Sequence, residues 1–179
     1  MSVYEVHERH GRNIRHATLG VFKAHARTQM LVAGVCNPTG EAASYNGLYL
    51  TATELDGLVA EIRGTPIKAE HTGEALGTVV SGFVDDTGAL NCVVRIDDSL
   101  EGEIARGLVR DGVASDFSLG YTVEVSHSAN SLRAGRKQLL EISLVRRGAR
   151  EGCRIMAYSD DNSDAIHVRR DPWAAFDLT

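Results

Sequence analysis

Cysteine is scarce in this chain: Cys36, Cys92 and Cys153 are the only three in 179 residues. An odd count with no C-x-x-C spacing argues against a disulfide framework or a zinc ribbon and implies a reducing compartment. Basic charge is in deficit, with 19 Lys and Arg against 24 Asp and Glu, a net charge of −5. A dedicated nucleic-acid binder would carry a basic footprint, so no nucleic-acid partner is expected. No apolar run approaches the roughly 18–20 residues needed to cross a bilayer, so no membrane partner is expected either. Met1 to Gly20 is polar and charged and lacks an apolar h-region, so no signal peptide is expected. None of the seven histidines forms an H-x-x-x-H pair in a helical pattern, which removes support for a helix-borne metal site.

What remains is ordinary globular material. Hydrophobic residues make up 43% and charged residues 24%, which excludes wholesale disorder. The length suits one domain with a real core. Residues 1–14 read as a flexible N-terminal segment, 15–158 as the folded domain, and 159–179 as an acidic linker and tail that carries the one tryptophan, Trp173.

Short apolar runs separated by turn residues predict strands over Arg15–Phe22, Thr28–Cys36, the neighbourhood of Tyr49, Pro66–Glu70, Ala75–Val84, Ala89–Ile96, Ala114–Val125, Gln138–Val145 and Arg154–Tyr158. Asp85-Asp86-Thr87-Gly88 reads as a hairpin turn. Many short strands at this spacing suggest an antiparallel barrel or sandwich. Two helices interrupt them. Thr51-x-x-Glu54 is a capping box ahead of Leu55, Leu58, Val59 and Ile62 on one face. The second helix starts near Asp98, with Ile104, Ala105, Leu108 and Val109 on one stripe, and ends at Asp111-Gly112.

Three places can carry chemistry. In Ala69-Glu70-His71-Thr72-Gly73, a histidine leaves a strand at a turn, where it can face a cleft and titrate near neutral pH. The bland alternative is a surface histidine. Ser115 and Ser118 lie where a helix end runs into an apolar strand. A serine there is either a small core residue or a nucleophile, and a nucleophile needs a base within reach. The α/β-hydrolase elbow G-x-S-x-G is absent. In Leu139–Arg150, alternation puts Leu140, Ile142 and Leu144 on one face and Glu141, Ser143 and Val145 on the other. Glu141 either pairs with a surface arginine or orients a histidine ring. The Arg-Arg-Gly-Ala-Arg turn at 146–150 offers N–H groups and guanidinium to an oxyanion.

Taken together and in order, these pieces resemble the herpesvirus assemblin family of capsid maturation proteases and, more distantly, the tailed-phage prohead proteases. The resemblance covers Met30 to Arg150. Leu31-Val32-Ala33-Gly34 is similar to an assemblin opening strand. Pro66–His71 followed by Leu76-Gly77-Thr78-Val79 is similar to the segment holding the family's catalytic histidine. Phe117-Ser118-Leu119-Gly120 resembles the segment holding the nucleophilic serine. Glu141-Ile142-Ser143-Leu144-Val145 matches the E-x-S-L-V of the phage branch, where assemblins carry a second histidine instead.

The resemblance implies a mainly β fold with flanking helices, a closed antiparallel β-barrel of about seven strands. It implies a serine endopeptidase with Ser118 as nucleophile, His71 as general base and Glu141 as third member, and Ser115 as the rival nucleophile. Gly148, Ala149 and Arg150 would form the oxyanion hole, with Arg146 and Arg147 as alternates, and His127 and His167 as stand-ins for Glu141. It implies no cofactor and no metal, a scaffold protein as peptide substrate, the capsid shell as partner, a homodimer, and a place inside the assembling capsid, in host cytoplasm or nucleus. Two other readings stay open: an inactive β-barrel scaffold or capsid-binding module, and a cysteine hydrolase pairing Cys92 with His71.

Overall fold

The computed structural model describes residues 29–39, 49–128, 131–159 and 165–169. The expected strand Arg15–Phe22, segment 1–14, most of the acidic linker and Trp173 lie outside them. The apolar runs become strands β1 (Leu31–Asn37), β2 (Pro66–Ala69), β3 (Thr72–Val84), β4 (Leu90–Ile96), β5 (Asp116–Ser128), β6 (Ser131–Val145), β7 (Arg154–Ser159) and β8 (Ile166–Val168). Helices α1 (Ala52–Glu61) and α2 (Leu100–Arg110) interrupt them. Tyr49 and Leu50 belong to no strand, and β8 has no counterpart among the expected ones.

The strands form one sheet in the order β5-β6-β2-β3-β4-β1-β7-β8. Two features differ from the expected closed antiparallel barrel. The sheet is mixed, because β2 runs parallel to β6. It is also open: among the described residues β5 pairs with β6 alone, and the seam toward β7 holds one backbone bond, Ile155 N–H to Ser115 O at 2.7 Å. Closure needs a continuous ladder with consistent stagger around the ring. Here β5 and β6 continue as a two-stranded ribbon through Ser128 and Ser131. Lys137 and Arg136 fasten this ribbon to α1 through Glu54 and Glu61.

The main core lies on one face of the sheet, and a smaller cluster of Leu31, Ala33, Val93 and Ala157 is buried on the other. In the main core Val32, Ile67, Val79, Val94, Ile96, Phe117, Leu119, Ile142, Leu144 and Ile155 pack with Leu55 and Leu58 of α1 and Ala105 and Val109 of α2. Each such side chain, taken fully out of water, contributes roughly 1.5–3 kcal/mol. Alternation then turns Ser118, Gly120, Glu141 and Ser143 to the other face. A β-bulge modifies the pattern on β6: Gly120 opposes Glu141, but Tyr121 opposes Leu139, so Leu140 is the extra residue and is expelled to solvent. The expected stripe Leu140–Ile142–Leu144 therefore loses its first member, and Leu139 packs on the core instead.

The capping box forms on α1: Thr51 Oγ1 accepts from Glu54 N–H, and Thr51 N–H donates to Glu54 Oε2 at 2.8 Å. On α2 the buried stripe is rotated from the expected one. Ile104 is 58% exposed, while Arg106 is buried, bonded to the Asp97 carbonyl and to Asp98 and Glu103. Burying the guanidinium is tolerable because three acceptors surround it. The Asp85–Gly88 turn forms as expected, with Gly88 at φ 86° and Asp85 accepting from Thr87, Ala89 and Asn91.

Candidate active site

The site begins with a two-residue hairpin. Ala69 of β2 pairs with Thr72 of β3, so Glu70 and His71 form the whole connection. Their φ angles are 46° and 62°. Such a turn needs left-handed backbone at both central residues, which is why Asn-Gly usually fills it. Glutamate and histidine adopt it at a cost of order 1–3 kcal/mol each, so the surroundings must hold them. Glu70 N–H donates to Leu144 O at 3.1 Å, and Arg146 N–H donates to Glu70 Oε1 at 3.0 Å. His71 N–H donates to Ser143 Oγ at 2.9 Å.

Held this way, the imidazole reaches across β6 to β5. His71 Nε2 lies 3.0 Å from Ser118 Oγ, and His71 Nδ1 lies 2.6 Å from Glu141 Oε1. Three residues separated by 47 and 70 positions in the chain thus share one line of hydrogen bonds. Register explains it: Ser118 is the cross-strand partner of Ser143, Gly120 of Glu141, and Lys68 of β2 flanks Ser143 on the other side. The ring side chain is 43% exposed, whereas Ser118 and Glu141 are buried. Of the three, the imidazole is the one with substantial contact with solvent.

Two more residues build the site. The expected site residues did not include them, although both lie within the quoted segments. Gly120 faces the glutamate, and a Cβ there would come 1.8 Å from Glu141 Oε1. Ser143, fully buried, donates to Glu141 Oε2 at 2.6 Å. The i, i+2 spacing of Glu141 and Ser143 on one strand face was the signal available for the second.

The alternates fall elsewhere. Ser115 Oγ–H donates to Arg146 O at 2.7 Å and so points away from His71. Cys92 sits in the core with Phe117 and Leu119, on the face opposite Ser118, its sulfur 2.8 Å from that of Cys36. Burial pushes the Cys36 thiol well above its ordinary range, and the Cys153 thiol, also buried, is pushed up to about 12. Thiols kept protonated by burial are poor nucleophiles. His127 stands on β5 opposite Leu132, not in the polar loop expected over Ser126–Gly135. His167 stacks on Tyr158 at 4.7 Å near the far edge of the sheet. Glu141 is the residue of this set that meets His71.

The turn after β6 lies against β5, the strand of Ser118. A Cβ on Gly148 would lie 3.0 Å from Phe117 O and 2.6 Å from the Cys153 Cβ, so only glycine lets the turn approach. Gly148 N–H donates to Asp116 Oδ2 at 2.8 Å, which occupies one of the expected oxyanion donors. Arg150 is buried; its Nη2 donates to Tyr121 Oη at 2.9 Å and its guanidinium lies over the Tyr121 ring. Arg146 is engaged through both backbone groups, by Glu70 and Ser115. Arg147 is exposed. Among the described residues, no cluster of three or more His, Cys, Asp or Glu could hold a metal ion.

No protein-family model matches the chain, and no curated protein does. Solved structures do. A crystal structure of KSHV protease in complex with a hexapeptide phosphonate inhibitor aligns over 75% of this chain and 66% of that one, at 18% identity and a TM-score of 0.54. Another structure of Kaposi's sarcoma-associated herpesvirus protease, bound to an allosteric inhibitor, aligns over 82% of this chain and 87% of that one, at 18% identity and a TM-score of 0.47. Varicella-zoster virus protease aligns over 73% and 64%, at 15% identity and a TM-score of 0.46. The chain spans about two thirds of the first of these structures. The fold is assemblin-like, that of the herpesvirus proteases.

Proposed function

We propose that this protein is a serine endopeptidase of capsid maturation that works by acyl transfer. The observation that carries the reading is the relay Ser118 Oγ to His71 Nε2 at 3.0 Å and His71 Nδ1 to Glu141 Oε1 at 2.6 Å. An ionised carboxylate only accepts, so Nδ1 carries the ring proton and Nε2 presents a lone pair to the serine hydroxyl. Ser118 Oγ attacks the scissile carbonyl as its proton passes to Nε2. Glu141 stabilises the imidazolium that forms. The imidazolium then protonates the leaving amine, and water hydrolyses the acyl-enzyme by the same steps.

The oxyanion falls to the turn packed against Phe117. Gly148 N–H is held by Asp116, so in this reading Ala149 N–H and Arg150 supply the stabilisation. Removing one such donor costs about 100- to 1000-fold in kcat. The substrate in this reading is a scaffold protein, with cleavage of the protease itself, inside the assembling capsid in host cytoplasm or nucleus. A homodimer and contact with the capsid shell belong to the same proposal. The second reading is an inactive module of the same fold. It has one observation in its favour: Ser118 is only 2% exposed, which limits a substrate's access to its hydroxyl.

Intact-mass analysis after treatment with a fluorophosphonate separates the two readings. One covalent adduct is expected on the wild type and on Ser115→Ala, and none on Ser118→Ala or His71→Ala. Running low and high protein concentrations exposes any dependence on a dimer. Absence of an adduct at both would establish the inactive module.

A further inference from the structure

Ser143 closes a ring of hydrogen bonds around the catalytic pair. His71 N–H donates to Ser143 Oγ at 2.9 Å, Ser143 Oγ–H lies 2.6 Å from Glu141 Oε2, and Glu141 Oε1 returns to His71 Nδ1 at 2.6 Å. The residue has no exposed surface, so these bonds are shielded from bulk water.

The directions of the bonds are fixed by valence. A backbone N–H can only donate, so the serine oxygen accepts from His71, and its single proton is left for the carboxylate. That donation occupies Oε2 of the Glu141 carboxylate, and hydrogen bonds to a charged acceptor are the strong ones. With Oε1 and Oε2 both accepting, the Nδ1–H tautomer is the one that completes the ring. The tautomer with the proton on Nε2 would set two lone pairs, Nδ1 and Oε1, against each other at 2.6 Å. The same hydroxyl holds the left-handed backbone of His71, at φ 62° in a turn with neither glycine nor asparagine. Its place on β6 makes this dual role possible, since its neighbours across the two ladders are Ser118 and Lys68.

We infer that Ser143 is a positioning residue that selects the tautomer of His71 and pins the strained turn presenting it. This inference rests on the protease reading for its effect on rate, but not for its effect on the ring.

The test compares wild type with Ser143→Ala and Ser143→Cys. One readout is the downfield proton resonance of His71 Nδ1–H together with exchange of the His71 amide. The other is the rate of fluorophosphonate labelling. Loss of a hydrogen bond to a charged group is worth about 1.5–3 kcal/mol, so labelling should slow about 10- to 100-fold in Ser143→Ala. Its Nδ1–H resonance should vanish, and its His71 amide should exchange faster. Ser143→Cys, nearly the same shape with a weak donor, should fall between. Should the alanine variant fail to fold, the cysteine variant decides on the same readouts. Wild-type labelling and an intact resonance in the variants would overturn the assignment. If the wild type takes no adduct but the resonance is lost only on substitution, the positioning role stands and the protease reading fails.

Discussion

Gly120 and Glu141 oppose each other across the β5–β6 ladder, and the missing side chain of one is the space occupied by the carboxylate of the other. The relationship is steric and local, and it shapes the whole relay. A glutamate reaching back toward His71 from β6 must pass over position 120, so any Cβ there displaces Oε1 from Nδ1. The bulge at Leu140 lies beside this pair, where β-bulges commonly re-aim a side chain.

Gly120→Ala should therefore disable the site more than it destabilises the fold. Overpacking of this kind costs about 1–3 kcal/mol, within the range a folded domain absorbs. Fluorophosphonate labelling should fall at least about 100-fold, since third-member loss costs up to about 10⁴-fold. Thermal melting and labelling rate measured on the same sample check both parts. A variant that labels like wild type would mean that Glu141 does not act through its observed position.

Glu141→Gln keeps the shape and removes the charge. The amide can present N–H to the ring and reverse the tautomer, so the labelling rate should drop about 10⁴-fold. The melting temperature should move little by comparison. A loss of less than tenfold would argue that His71 needs no carboxylate.

Asp85 supplies a pH dependence of stability away from the site. Burial works to raise its carboxyl, but the Thr87 hydroxyl, the Asn91 amide and the N–H groups of Ala89 and Thr87 outweigh it and hold the group below its ordinary range. A depressed carboxyl contributes stability above its unfolded value, near about pH 4, and loses it as pH falls through the folded value. Asp85→Asn should cost about 1–3 kcal/mol at pH 7, and the gap from wild type should narrow below about pH 4. Denaturant melts at pH 7 and at pH 3 check the sign; a gap that widens in acid would refute it.

All three thiols are buried in the folded chain. An aromatic disulfide reagent at pH 8 should modify none of them natively and all three in denaturant. Fast native modification of Cys92, with loss of fluorophosphonate labelling, would reopen the cysteine-hydrolase reading.

The sequence by itself determined most of the strands, the capped helix α1, the hairpin at Asp85–Gly88 and the segments that meet in the site. These are written in local patterns: apolar runs, Thr51 three residues before Glu54, turn residues between strands. It also put Glu141 forward as third member, by its resemblance to E-x-S-L-V, with His127 and His167 left open as stand-ins. Only the tertiary structure decided what depends on pairing between distant segments. The parallel contact of β2 with β6 made the sheet mixed and carried Lys68 beside Ser143, and the edge at β5 left the expected barrel open. The register of β5 on β6 put Ser118, rather than Ser115, under His71, and set Gly120 against Glu141. The rotation of α2 that buries Arg106 and exposes Ile104 follows from acceptors at Asp97, Asp98 and Glu103, which a hydrophobic stripe does not reveal. Periodicity fixes which face a residue occupies along its own strand, but cross-strand register and bulges decide whom it meets, and these are set by packing of the whole sheet.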